Sequence, residues 1–253
     1  MNWKKIKTVL IFLFLAIDIF LVIWNIMLRH ESKVVDEETI INMAMLLEKR
    51  GIEIPEGIIN EEIPEINGIS VRNAMASEAE FVGNILGNRY KKDDNVFYND
   101  VCSVKIEGNS FIIESETQIN SGEEAVKWLE ELGFNLEDTV KAEYRGEFLI
   151  KSVYKGHDIF GSRISVKSED GKTTAYGSFY YVIEGSETET DISHASSVLP
   201  RLIREGISDC AVSSVSIGYK VDDLESKFVE ASANPTYRIM LSDGREIFYN
   251  ATK

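Results

Sequence analysis

The chain lacks an excess of positive charge. Its 253 residues hold 27 lysines and arginines against 42 aspartates and glutamates, a formal net charge of -15 at pH 7. Proteins that bind nucleic acid present a basic face to the phosphates, and this composition has the opposite sign. We therefore expect no nucleic acid among the partners, and consider proteins, membranes and small molecules instead.

Histidine is scarce too, with three residues. His30, His157 and His194 form no H-E-x-x-H or H-x-x-x-H pattern, so nothing local indicates a zinc site. The chain also contains no usable G-x-S-x-G, P-loop or S-x-x-K motif of known hydrolases and nucleotide-binding proteins. The sequence predicts no catalytic residue, no cofactor and no metal ion.

Only two cysteines are present, and they leave two interpretations open. Outside the cytoplasm, Cys102 and Cys210 could form one disulfide bond. Alternatively, both are small core residues, one in an alternating strand and the other just after a helix.

One long apolar run, Thr8 to Leu28, stands near the N-terminus. Its 21 residues contain a single ionisable side chain, and as a helix they would span about 30 Å, the thickness of the hydrocarbon core of a bilayer. No A-x-A-like cleavage site follows it. Because lysines precede it and positive charge prefers the cytoplasm, we expect a single-pass cell-membrane protein with a cytoplasmic stub at 1–7, a transmembrane helix at 8–28 and an extracytoplasmic remainder.

Asp18 is the one ionisable residue of this run. A carboxyl group in hydrocarbon is rare unless it meets a partner, and Asn25 lies two helical turns further on the same stripe. This stripe predicts docking onto a neighbouring transmembrane helix. The alternative is a protonated or snorkelling Asp18, with Asn25 simply at the membrane interface. The predicted partner-binding face comprises Ile11, Leu15, Asp18, Leu21, Val22 and Asn25.

Beyond the run, four helices are predicted. A helix is predicted from Asp36 to Gly51, because acidic residues stand in its first turn, basic residues in its last turn and a glycine at its end. Capping boxes begin two more at Ser77 and Ser121. The fourth, from Asp191 to Gly206, contains Pro200 and should be kinked or start late.

Three two-residue turn signals, Gly108-Asn109, Asp170-Gly171 and Asp243-Gly244, separate strand-like segments and predict β-hairpins. Two-residue turns join antiparallel strands, so we expect mainly antiparallel sheets with helices on one face. The predicted fold class is α+β: an N-terminal transmembrane helix followed by repeated helix-plus-antiparallel-sheet modules, divided into 31–117 and 118–253.

Both ends of the chain resemble a known family. Asn2 to Thr8 and Phe14 to Leu21 are similar to the start, and Pro235 to Ile239, Asp243-Gly244 and Phe248 to Ala251 to the closing strands, of the YycH/YycI family. Members of this family are membrane-anchored regulators of the WalK/WalR (YycG/YycF) two-component system in Gram-positive bacteria. The middle of the chain agrees only in its order of helices and strands.

The chain departs from the family pattern at Tyr237, where tryptophan is expected. The resemblance implies a non-enzymatic regulator of signalling that controls cell-wall metabolism. Its implied partners are a WalK/YycG-like sensor histidine kinase, a YycH-like regulator and the lipid bilayer. Two other classes stay open: a membrane-anchored wall-active enzyme, and a ligand-sensing domain.

Overall fold

The computed structural model describes residues 7, 12–24, 34–222 and 227–253. Within these residues, the helices are α1 (12–24), α2 (Glu37–Glu48), α3 (Glu78–Leu86), α4 (Gly122–Glu131), α5 (Ala195–Val198) and α6 (Arg201–Arg204). The strands are β1 (Ile52–Glu53), β2 (Ile69–Asn73), β3 (Lys91–Asp93), β4 (Val96–Tyr98), β5 (Cys102–Glu107), β6 (Ser110–Ser115), β7 (Thr139–Tyr144), β8 (Glu147–Tyr154), β9 (His157–Glu169), β10 (Lys172–Ser178), β11 (Tyr180–Val182), β12 (Cys210–Val221), β13 (Glu230–Leu241) and β14 (Glu246–Asn250).

The chain divides into two compact units, each drawn from several stretches of sequence. The first comprises Met1–Pro64, Ser193–Ser214 and Leu241–Arg245, and the second Glu65–Ile192, Val215–Met240 and Glu246–Lys253. Residue 118 lies inside the second unit, and the division predicted there stays a prediction.

In the first unit, α2 begins with two glutamates in its first turn and buries Met43 and Leu47. Gly51, with a φ of 76°, ends the turn that follows the helix and leads into β1. β1 pairs in parallel with the start of β12, Ile52 opposite Cys210. The predicted fourth helix is two short helices, α5 and α6, separated at Pro200 as its ring requires.

The second unit is built on a mixed sheet with the strand order β11-β2-β13-β12-β9-β10-β6-β5-β4-β3. β8 pairs with β9 and carries β7, and β14 pairs with β13. The three predicted hairpins are present as β5–β6, β9–β10 and β13–β14. In contrast to these antiparallel pairs, β9 and β12 run parallel, with Tyr219 opposite Ile159.

Helices α3 and α4 cover one face of this sheet. Both begin as predicted, because the Ser77 hydroxyl accepts the Glu80 N–H at 3.4 Å and the Ser121 hydroxyl accepts the Glu124 N–H at 3.2 Å. Beneath them four phenylalanine rings pack with centroid separations of 5.3 to 5.9 Å. Full burial of each ring contributes about 1.5–3 kcal/mol. These rings belong to Phe81, Phe111, Phe134 and Phe179.

The predicted fold class is wrong in two respects. First, the described strands join in one large mixed sheet and not in repeated antiparallel modules. Turn signals specify hairpins, which are local, but carry no information on the parallel pairing of β9 with β12. Second, among the described residues no helix is both long and apolar enough to cross a membrane.

The predicted single-pass membrane location is corrected by the same finding. Residues 8–11 and 25–28 of the predicted span lie outside the described residues.

Gly218 on β12 provides a test of the β9–β12 contact. A Cβ at this position would lie 2.4 Å from the Asp158 carbonyl oxygen and 2.7 Å from Cζ of Phe160. We predict that Gly218→Ala lowers the free energy of unfolding by about 1–3 kcal/mol, the usual cost of overpacking. Urea denaturation of the variant and the wild type measures the difference.

The matched control is Gly83→Ala in α3, where nothing lies within 4 Å of an added Cβ. Alanine should raise the free energy of unfolding there by about 0.5–1 kcal/mol, because it favours the helix. Equal stability of the Gly218→Ala variant and the wild type would refute the close approach.

Candidate functional site

A groove lined by basic and aromatic side chains is the candidate site of the second unit. It has a volume of about 490 Å³ and is bordered by β8, β9, β12, β13 and β14. Ile150 of β8 belongs to the core under the helices, whereas its neighbours Leu149 and Lys151 line the groove. Since side chains alternate along a strand, the groove lies on the sheet face opposite α3 and α4. We call it the basic-aromatic groove and define it by Lys151, Arg163, Lys220, Arg238, Phe160 and Phe248.

Two aromatic rings, tilted by 59° to each other, carry two of its positive charges. Phe160 and Phe248 lie 5.3 Å apart between ring centroids. The Lys220 ammonium stands 4.7 Å above the Phe248 ring, and the Arg238 guanidinium 5.0 Å above the Phe160 ring. Such cation–π contacts hold the charges in place while they remain at the surface of the groove. The lack of a side chain at Gly218 leaves the space that the Phe160 ring occupies.

Arg238 is oriented by its neighbours. Its Nε–H donates to the Ser216 hydroxyl at 3.3 Å, and its Nη2 lies 3.7 Å from a carboxylate oxygen of Asp158. The hydrogen bond engages one of the five N–H donors of the guanidinium, and the contact with Asp158 is an ion pair. Arginine presents its donors as a planar fork that matches a carboxylate or phosphate.

The groove reverses the sign of the chain's charge. It has four basic side chains, and its acidic ones are Asp158 and Glu246, in a chain whose net charge is -15. A concave surface of one sign concentrates ligands of the opposite sign. Its chemistry therefore suits an anionic group with an apolar or aromatic portion that rests on the rings.

Sequence reasoning missed this site because its residues come from strands far apart in the chain. The available signal is weak: Lys220 and Arg238 are the single basic residues of β12 and β13, and each follows a tyrosine. Only the pairing of β12 with β9 and of β14 with β13 brings them to the two phenylalanines.

The predicted partner-binding face lies elsewhere. Its members Leu15, Asp18, Leu21 and Val22 are exposed residues of α1, and Ile11 and Asn25 lie outside the described residues. With the transmembrane assignment corrected, a bilayer setting for this face has no support. Its role in partner binding stays a prediction.

The histidines have structural surroundings in the part of the chain described. His194 is 5% exposed and caps α5, since its Nδ1 accepts the Ser196 N–H at 3.1 Å. Its Nε2 donates to the Asn60 carbonyl oxygen at 2.6 Å. In this arrangement Nδ1 acts as the acceptor and Nε2 as the donor. The His157 ring lies edge-on to the Tyr219 ring at 6.3 Å, and His30 is outside the described residues.

A second polar cluster, at the β8–β9 turn, joins Tyr154, Lys155 and Glu187. The Tyr154 hydroxyl donates to the Glu187 carboxylate at 2.6 Å, and the Lys155 ammonium lies 2.5 Å from the same oxygen. The hydrogen bond from Lys155, and next that from Tyr154, lowers the pKa of the Glu187 carboxyl. Because the three groups are at the surface, this network contributes little to stability. Among the described residues, no group of three or more histidines, cysteines or acids is arranged to hold a metal ion.

Comparisons with known proteins give no name or function for this site, so its interpretation depends on the geometry described above. No protein-family model matches the sequence, and no curated protein matches it. Among solved structures, the chain is similar to an uncharacterized protein from Eubacterium rectale ATCC 33656, with 14% identity and a TM-score of 0.46 over 80% of this chain and 88% of that chain. At that TM-score the likeness carries no argument about fold or function.

The two cysteines are free thiols and poor nucleophiles. Burial raises the pKa of the Cys102 thiol to about 11 and also raises that of Cys210. We predict that iodoacetamide modifies Cys102 about 100-fold more slowly at pH 8 than a thiol of pKa about 9, because the thiolate is the reactive form. A Cys210→Ser variant followed by mass spectrometry isolates the reaction of Cys102.

The rate should rise about tenfold per pH unit from pH 8 to 10, since the thiolate fraction does so below the pKa. The urea-unfolded chain serves as the control and should react at the ordinary rate. A rate that levels off near pH 9 in the folded protein would rule out the raised pKa.

Proposed function

We propose that this chain is a non-enzymatic regulatory protein that binds a WalK/YycG-like sensor histidine kinase, together with a YycH-like regulator, and so modulates two-component signalling. One observation carries the proposal. Arg238 and Phe248 belong to the closing strands that resemble the YycH/YycI family, and both line the basic-aromatic groove. The residues of the resemblance thus contribute to the most distinctive binding surface described.

The groove suits an acidic segment of a protein partner. Arginine and aromatic side chains in a concave surface are the residues that most often dominate the free energy of protein–protein binding. The negative charge elsewhere on the chain repels an acidic segment, which leaves the groove as the preferred point of contact.

Regulation then requires differential binding and no reaction. If the groove engages a segment that is accessible in one state of the kinase and not in another, binding shifts the population towards the accessible state. A difference of about 1–3 kcal/mol in binding free energy between the two states changes the ratio of their populations roughly 5- to 150-fold.

Neutralising the groove should weaken kinase binding. We predict that Lys151→Ala/Lys220→Ala raises the Kd for a purified WalK/YycG-type kinase at least tenfold, because each lost hydrogen bond to a charged group costs about 1.5–3 kcal/mol. Biolayer interferometry with the full chain measures the Kd.

The matched control is Lys91→Ala/Lys172→Ala, which removes the same charge from exposed positions outside the groove. It should retain wild-type affinity. Equal Kd values for the two double variants would dismiss the groove as the contact, and no binding by the wild type would overturn the regulatory proposal.

The size of the groove favours a second candidate, a sensing domain for a small anionic ligand. Its volume of about 490 Å³ lies within the roughly 300–1,000 Å³ usual for small-molecule sites. In this second candidate function, the small ligand carries the negative charge. In the first, an acidic segment of the kinase carries it.

Melting experiments separate the two candidates. For a ligand-sensing domain, citrate or inorganic phosphate should raise the Tm in proportion to RT ln(1 + [L]/Kd), because it binds the folded chain alone. The rise should disappear in Lys151→Ala/Lys220→Ala and persist in Lys91→Ala/Lys172→Ala. A Tm that responds no more to these anions than to chloride of equal ionic strength argues against the second candidate.

A further inference from the structure

Strand β7 forms an edge of the sheet in the second unit. Among the described residues it pairs with β8 alone, and every residue of β7 after Thr139 is exposed. An edge strand presents a row of backbone N–H and C=O groups to any further strand.

The turn between β7 and β8 determines which backbone groups face outwards. Arg145 and Gly146 have φ values of 54° and 77°, as in a type I′ turn, so the closing pair Tyr144 and Glu147 exchanges hydrogen bonds. Partners alternate along the strand, which turns the N–H and C=O groups of Ala142 towards β8 as well. The outward groups are therefore those of Thr139, Lys141 and Glu143.

A bond just before β7 agrees with this alternation. The Val153 N–H donates to the Asp138 carbonyl oxygen at 3.0 Å, so this even-numbered residue also faces β8.

The side chains of β7 differ between the two faces of the sheet. Lys141 and Glu143 lie on the face that carries α4, and on the other face Val140 and Tyr144 are 50% and 63% exposed. One face of the edge is thus charged with both signs, and the other is apolar and aromatic.

We propose that β7 is a self-association site, at which a second copy of this chain adds its own β7 antiparallel, with the two-fold axis at Ala142. In this register, Lys141 of each copy lies opposite Glu143 of the other, and the outward backbone groups of both residues form hydrogen bonds. On the opposite face, Val140 lies opposite Tyr144, a favourable aromatic and β-branched pair.

Charge selects this register over its neighbours. In an antiparallel pair, residues whose backbone groups face outwards must oppose each other, so the axis moves in steps of one residue. An axis at Lys141 sets Lys141 against its own copy, and an axis at Glu143 sets Glu143 against itself and Lys141 against Arg145. Like charges directly opposite each other destabilise a sheet. Of these three registers, the axis at Ala142 is the one that pairs opposite charges.

A lysine on an edge strand also serves in many proteins to prevent such pairing. Here Glu143 lies two residues further along the same face. In a second copy placed in this register, Glu143 lies opposite Lys141, so the lysine meets an opposite charge. An unrelated strand would leave Lys141 and Glu143 without matching charges.

Charge reversal tests the register with the full chain. Wild type should show a monomer–dimer equilibrium in analytical ultracentrifugation. Lys141→Glu and Glu143→Lys should each raise the dimer Kd at least tenfold, because each opposes like charges twice. An equimolar mixture of the two variants should form heterodimers, and Lys141→Glu/Glu143→Lys should restore the wild-type Kd.

A wild-type chain that stays monomeric at all concentrations overturns the proposal, and so does a double variant that fails to regain the dimer. Single variants that dimerise like the wild type also overturn it, since they would show that the copies meet at another surface.

Cysteine crosslinking tests the axis itself. In Ala142→Cys the two introduced residues should face each other with a Cα separation of about 4.5 Å, within the range of a disulfide, and the dimer should be trapped on oxidation. In the control, Val140→Cys, the two cysteines are four residues out of register, roughly 13 Å apart along the strand, and should not crosslink. Equal crosslinking of both variants, measured against the wild-type background, contradicts the register.

Discussion

The second unit depends on the pairing of one long strand, β9, with three neighbours. One edge of β9 pairs with β8; the other pairs with β12 at Ile159 and Phe160 and with β10 from Arg163 onwards. Gly161, with a φ of 86°, stands between the two segments, in a backbone conformation that residues other than glycine rarely adopt. β12 pairs with β9 in parallel, β13 pairs with β12, and β14 pairs with β13. This series of pairings brings the residues of the basic-aromatic groove together.

This pairing gives the two faces of the sheet different roles. Alternation along β8 and β9 sends Ile150, Ile164 and Val166 into the core under α3 and α4. The intervening positions, Lys151 and Arg163, face the groove. The same register that stabilises the core therefore also assembles the positive charge. A change in the core that shifts β8 against β9 would disturb the groove as well.

Local signals in the sequence were sufficient for local structure. The capping serines Ser77 and Ser121 and the two-residue turns act within a few residues, and the structure has the two helices and the three hairpins that they predict. The parallel register of β9 and β12 arises from packing between distant segments, and neither turn chemistry nor periodicity encodes it. For the same reason the groove could not be predicted from the sequence, since Lys220 and Phe160 are brought together by that register. At the N-terminus, apolar composition indicated a span, whereas no helix among the described residues is long and apolar enough to cross a membrane.

The groove and the edge are connected through β8. In the β7–β8 register, Val140 lies opposite Lys151 and Ala142 opposite Leu149, so the apolar face of β7 is also the groove face. A two-fold axis perpendicular to the sheet at Ala142 keeps both copies' grooves on one side. With strands about 4.8 Å apart, each β9 lies about 12 Å from the axis, and the grooves open about 25 Å from each other. A partner with two acidic segments at that separation would gain affinity from bivalent binding without any new contact.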